Sequence, residues 1–518
     1  MKHVPGINSP VLPGVVLLVL SIVLGLCVYQ HYGVSWDEPW QREIGETSYR
    51  YVFENNEALL IYQERDHGVG FELPLILIEK ALQPRDISDV YLMRHLVTHL
   101  FFLISAFCGY LLALRLFGNK WIASLAFLMF VLHPRLYAHS FFNSKDIPFL
   151  SMFIVCFFLA EVAFRKNDWR WHLLLGIACG YTTSIRILAL LLVFSCLLFY
   201  SIDLVSSYNR RGEWQKSGRY GLVFLSSSLL TLYSSWPVLW RDPITTLFQN
   251  FESMSHFRWD GTMLFFGEVI RSTNLPWTYV PGWFSITVPP LWLAAGVAAI
   301  ALTIYLLIKQ PKSYLGNGRE RNYLLYLICT VLPVALVILL NSVVLDDWRH
   351  LYFIYPGFVF LALSILNRAK SRRIRSLVLI MCAIQLADIA WFMIRNHPHQ
   401  QVYFNRLVSH NDEYLRMNFE LDYWGASCRQ GLEYLLANDP SSTIKVYASG
   451  WQSAPIVNNT YILNAAQRSR IHLVPNTDEA DYFLTNFRWH PDDYPLPKLV
   501  NDVQVLNSSI LHVYKLRE

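Results

Sequence analysis

The sequence predicts a polytopic α-helical membrane protein, with about 11 transmembrane helices and a small C-terminal α/β domain. Three observations carry this. Hydrophobic residues make up 54% of the 518-residue chain and charged residues only 16%, against about 25% charged in a soluble domain. The charge deficit is concentrated in apolar runs close to the length of about 20 residues that crosses the hydrocarbon of a bilayer. Basic residues gather in every second loop between those runs.

The runs lie near residues 11–30, 91–114, 120–134, 147–164, 171–185, 187–203, 220–236, 284–308, 323–345, 350–367 and 376–394. The first follows Lys2 and resembles a secretory leader, but it is long and no clean small-x-small site follows, so a retained helix is expected. Lys2, Arg115 and Lys120, Arg165 to Arg170, Arg210 to Arg219, Lys309 to Arg321 and Arg368 to Arg375 fall on one side. The positive-inside rule makes that side cytoplasmic. The loops 31–90, 135–146, 237–283 and 346–349 and the tail then lie opposite. Two domains are expected, 1–394 in the membrane and 395–518 in water on the far side, which in a bacterium is the periplasm.

The two long loops have their own character. Trp40 to Tyr62 reads as a helix, and Phe71 to Leu82 as an apolar stretch too short to span and suited to an interface. Residues 237–283 are rich in Trp, Phe and Pro and read as an interfacial lid. In the tail, Gly425 to Leu436 reads as a helix, and Thr443 to Ala448, Ala480 to Asn486 and Val503 to Tyr514 alternate like strands, the last broken near Asn507–Ser509.

Composition also excludes. A net charge of +5 over this length leaves no nucleic-acid footprint. There is no P-loop or GxGxxG motif, which argues against an ATP-driven pump. Seven of the eight cysteines sit in apolar runs and Cys428 alone in the tail, without zinc spacing, so they read as small apolar fillers.

Chemistry-bearing residues concentrate on the far side. Ser35-Trp36-Asp37-Glu38-Pro39 follows the first span. Adjacent carboxylates at an interface are costly unless paired or used; the plain alternative is that Asp37 caps a helix opened by Pro39. His133 to Phe149 packs Arg135, His139, Asn143, Lys145 and Asp146 between two spans, and Asp146 is again a possible helix cap. Arg186 stands at a turn on the same side, as a functional cation or one snorkelling to the interface. Asp346-Asp347-Trp348-Arg349-His350 forms a short turn there, whose Arg349 and His350 are phosphate ligands or ordinary turn residues.

WDEP after the first helix and HSFFNSKDIPF after the third resemble the two acidic loop motifs of GT-C membrane glycosyltransferases. That superfamily includes the protein O-mannosyltransferases and the lipid A aminoarabinose transferases. HPHQQVYFN at 397–405 and FELDYWG at 419–425 are similar to a stretch of its bacterial members. The resemblance implies a glycosyltransferase of the bacterial inner membrane, with a polyprenyl (undecaprenyl) phosphate sugar as donor. The acceptor would be a cell-envelope glycan such as lipopolysaccharide or O-antigen, or else a lipid or protein. It further implies inverting displacement with Asp37 as general base, Glu38 orienting, and Asp146 with Lys145 completing the site.

Lys145, His139, Arg186, Arg349 and His350 are the candidates for donor phosphate and sugar. His139 is equally an ordinary polar contact. Tyr403, Asn405 and Trp424 are candidates for the acceptor side, or for a packing joint between tail and membrane. No cofactor is certain. Asp37 and Asp146 with a histidine would hold Mg²⁺ or Mn²⁺, or the Lys/Arg set would neutralise phosphate without metal. Two other classes compete. A transporter or glycan flippase needs charges deep in several helices and repeated or broken spans. A non-enzymatic assembly or receptor protein needs no cavity between Asp37 and Asp146.

Overall fold

The computed structural model describes residues 9–255, 258–316, 318–368, 371–496 and 498–517. Lys2 and Lys370 therefore lie outside the described residues. A helix or helix pair stands at every apolar run read from the sequence. Among the described residues eight are long and apolar enough to cross a membrane, and nine if the bent pair Lys120–Val131 and Pro134–Phe142 is one span. The expected count of about 11 also included Trp169–Ile185 and Arg211–Ser235. Both are helices, but the first has only 17 residues and the second opens on the polar stretch Arg211–Arg219.

Those two helices pack against each other through small residues. A Cβ on Gly176 would lie 2.0 Å from the Ser227 hydroxyl, and one on Gly180 2.2 Å from the Ser228 carbonyl. The spacing is the small-xxx-small device that lets helix backbones approach where water supplies no drive. The bent pair turns by 59°. Its cause is local: Pro134 offers no N–H and pushes His133 into extended backbone (ψ 112°). The second half of the pair runs back under the tail with every residue from Pro134 to Phe142 buried.

The loop helices are shorter or more varied than the sequence suggests. The first helix is Glu38–Phe53, ending before Asn55 at φ 55°, with a 3₁₀ turn at Glu57–Leu60. The apolar stretch forms Glu72–Leu82, packed on that helix. Residues 237–283 hold the helix Pro243–Ser255, a hairpin of β1 (Thr262–Phe265) and β2 (Glu268–Arg271), and the helix Tyr279–Thr287. The hairpin turns at Phe266–Gly267, a pair without the usual turn dipeptide, and so was not legible as one.

The tail carries a five-stranded sheet. In chain order the strands are β3 (Ile444–Tyr447), β4 (Ile471–Leu473), β5 (Tyr482–Thr485), β6 (Leu499–Val505) and β7 (Ser508–Lys515). Their spatial order is β4-β3-β5-β7-β6, parallel from β4 to β5 and antiparallel beyond. The helix Cys428–Asn438 packs on β6 and β7. The break read at Asn507–Ser509 is a two-residue turn, Leu506 and Asn507 both in left-handed backbone.

The tail grips the segment after the first membrane helix. Asn459 accepts from the Val34 N–H at 3.0 Å and donates to the Val34 and Gly425 carbonyls. Asn458 donates to the Ser35 carbonyl, and the Trp36 N–H donates to the Trp424 carbonyl at 3.0 Å. The piece Val34–Trp36 is thus held by the tail, and it delivers Asp37.

Candidate active site

Asp37 occupies the N-cap position of Glu38–Phe53, yet its side chain caps nothing. It points instead into a cavity of about 580 Å³ lined also by Lys145, Arg186, Asp346, Arg349 and His350. Its Oδ2 accepts from Arg349 Nη1 at 3.0 Å. Arg349 is the hub. The same Nη1 lies 3.6 Å from Asp146 Oδ2, Nη2 lies 3.4 Å from Asp346 Oδ2, and the guanidinium lies 4.6 Å from the centre of the Trp424 ring. A planar fork fits several carboxylates at once, and stacking on an indole fixes its plane.

Asp146 does not cap its helix either. It is buried, salt-bridged to Arg186 through Oδ1, and its Oδ2 accepts from Asn143 Nδ2 at 2.9 Å. It thus holds two arginines, Arg186 and Arg349. Lys145 stands beside it, partly buried. Burial first, then the neighbouring Arg186, pull its ammonium down to about 7 against the opposing Asp146 and Asp37.

Arg349 sits between Asp37 and Asp146, so the two carboxylates as arranged do not fit a shared metal ion. The group that does converge among the described residues is Glu64, Asp66 and His67. These also line the cavity. Burial pushes Asp66 up, but hydrogen bonds from His67 and Ser253 outweigh it and hold it at about 2. Arg258, 3.3 Å from Asp66, already supplies a cation there.

Several expected residues sit elsewhere. Glu38 is only 2% exposed and is turned away, accepting from the Ser35 N–H at 2.7 Å and pairing with His95 at 3.0 Å. It braces the turn that carries Asp37 and does not line the cavity. His139 is buried between Asn143 and the Trp424 indole N–H, which lies 3.2 Å from its Nε2. Tyr403 and Asn405 belong to the packing joint. The Tyr403 carbonyl accepts from Arg135, and Asn405 Nδ2 donates to the Ser285 and Val288 carbonyls at 2.7 Å. Trp424 does line the cavity, as the floor under Arg349.

Beneath the hub lies a fully buried ion pair. Arg135 Nη1 is 2.7 Å from Asp347 Oδ2, and Asp347 also accepts from the Tyr352 and Tyr423 hydroxyls. Burial raises Asp347 to about 6 in spite of Arg135 beside it. The tail supplies a residue not foreseen, Arg488, whose Nη2 donates to Asp346 Oδ1 at 2.8 Å. A cation flanked by aromatics, Phe487-Arg488-Trp489, was its signal in the sequence.

The same cavity has an apolar lining, from Leu188 and Leu191 after the helix break at Arg186 and from Leu336, Val337 and Leu340 near the end of the helix Glu320–Leu339. Charged and aliphatic side chains thus line one cavity.

Residues 78–246 match the family described as dolichyl-phosphate-mannose-protein mannosyltransferase. Among solved structures, the apo oligosaccharyltransferase of Archaeoglobus fulgidus has the same fold. Its TM-score is 0.50 at 10% identity, over 92% of this chain and 69% of its own. The chain has the GT-C fold. ArnT from Cupriavidus metallidurans, bound to undecaprenyl phosphate, aligns over 96% of this chain and 97% of its own, with TM-score 0.49 and 12% identity. No curated protein sequence matches. Within the chain, the family match contains His139, Lys145, Asp146 and Arg186, while Asp37 and Arg349 reach the site from outside it.

Proposed function

We propose that this protein is a glycosyltransferase that moves a monosaccharide from an undecaprenyl-phosphate donor to a cell-envelope acceptor such as lipopolysaccharide or O-antigen. The reaction takes place at the periplasmic face of a bacterial inner membrane, with the N-terminus cytoplasmic. Asp37 is the general base of an inverting displacement. The observation that carries this is one cavity joining three things: an apolar lining, a cluster of cations, and a partly exposed carboxylate, Asp37, whose Oδ2 pairs with Arg349.

Each part has a chemical task. The apolar lining at Leu188 and Leu336 takes the polyprenyl chain, and Lys145, Arg186 and Arg349 face the phosphate at its end. Asp37 Oδ1 accepts the proton of the acceptor hydroxyl. The acceptor oxygen bonds to the anomeric carbon as the carbon–oxygen bond to phosphate breaks. The electron pair departs onto the phosphate oxygen, where fixed cations in a water-poor site stabilise it. Asp146 and Asp346 hold Arg349 and Arg186 in place, and Glu38 fixes the turn through Ser35 and His95.

The test is sugar transfer from a panel of radiolabelled undecaprenyl-phosphate sugars in membranes carrying wild type or Asp37→Asn. The substitution keeps the shape and removes the base, so transfer should fall by roughly 10²–10⁴-fold at equal expression. Equal transfer in both would remove Asp37 from this role. No transfer from any donor, with envelope acceptors supplied, would overturn the donor assignment.

A further inference from the structure

The backbone around the unforeseen arginine is strained where it meets the cavity. Phe487 and Trp489, on either side of Arg488, both stand at φ 61°. Facing them, Asp346 and Asp347 stand at φ 55° and 64°. Bulky residues in this region are outliers, and they persist only where surrounding contacts enforce them. The contacts are present. Arg488 bridges the segments through Asp346, its Nη1 donates to the Tyr423 carbonyl at 3.0 Å, and the Trp489 indole N–H donates to the Thr262 carbonyl at 3.0 Å.

This arrangement presents aromatic surface. Trp489 keeps 38% of its surface exposed, meets Trp36 edge to face at 6.1 Å, and lies with it on the cavity wall. The Arg488 guanidinium is 4.6 Å from the Trp489 ring centre and 5.8 Å from that of Trp36. Trp36 immediately precedes Asp37. Indole faces with carboxylates nearby suit a ligand that is apolar on one face and hydroxylated on its edge. A lipid chain has no use for such edges.

We propose that Trp489 and Trp36, set by Arg488, form a carbohydrate subsite that binds a sugar ring of the acceptor and presents its hydroxyl to Asp37. The tail then selects the acceptor, and the acceptor is a glycan. The inference rests on the transferase reading of the same cavity.

The experiment uses the full chain in nanodiscs and a soluble probe, core oligosaccharide released from lipopolysaccharide by mild acid. Saturation-transfer NMR should mark its ring protons in the wild type and in Trp489→Phe. In Trp489→Ala the dissociation constant should rise about tenfold. In the transfer assay the same variant should raise the acceptor KM about tenfold while leaving the donor KM unchanged. No binding by the wild type, or equal binding by Trp489→Ala, would overturn the subsite. Binding that needs Trp489 in a protein that transfers no sugar would keep the subsite and sink the transferase assignment instead.

Discussion

At the scale of single residues, Arg349 and Lys145 are cations of different kinds. Arg349 is flanked by carboxylates and an indole, and a guanidinium keeps its charge at any working pH. Lys145, drawn down to about 7, does not. It is charged below that pH and neutral above, whereas a phosphodiester donor keeps its charge throughout. The donor KM should therefore rise by up to about tenfold between pH 6 and 8, and Lys145→Arg should flatten the profile. A flat KM in the wild type would remove Lys145 from the phosphate. Asp37, Asp146, Lys145 and Arg349 were legible in the sequence because charges beside apolar runs are costly and therefore conspicuous. The division of labour among them was not. Glu38 and His139 look like chemistry in the sequence, but they face inward because Ser35, His95 and Trp424, distant or unremarkable in the chain, offer them better partners.

At the scale of elements, the site is placed by close backbone approaches. The loop carrying Glu64, Asp66 and His67 returns to the bundle at Gly68, where a Cβ would lie 2.3 Å from the Ser184 carbonyl and 2.6 Å from that of Ile185. These carbonyls directly precede Arg186. Gly68→Ala must push the loop or the turn aside, since both neighbours are backbone. It should lower the transition temperature by several degrees and reduce transfer at least about tenfold, with thermal unfolding in detergent and the transfer assay as checks. Unchanged values would mean that this contact does not set Arg186. Periodicity and hydropathy reveal apolar helices well, but they do not report such contacts. The kink at Pro134 was likewise unread, because the apolar run through 120–134 gives no hint that the chain folds back into Pro134–Phe142.

For the whole molecule, the tail and the membrane helices make one site. Val34–Trp36 is a strip between them, and Asn459 bonds the N–H and carbonyl of Val34 as well as the Gly425 and Pro455 carbonyls. Asn459→Ala strands several buried backbone groups at about 1–3 kcal/mol each. Stability should fall by that order, and transfer should fall further because Asp37 follows the strip. Stability loss without loss of transfer would show that the tail is not needed to place the base. The sequence showed a membrane part and an α/β part through their composition. It could not show that Arg488 crosses from one to the other, since a long-range ion pair leaves no trace in local pattern. The most direct test of the account is a structure of the full chain in nanodiscs with undecaprenyl phosphate. The phosphate should lie within about 4 Å of Lys145 and of Arg186 or Arg349, with the chain beside Leu188 and Leu336 and Asp37 open opposite. A phosphate bound on another face, remote from Asp37, would contradict the assignment of this cavity.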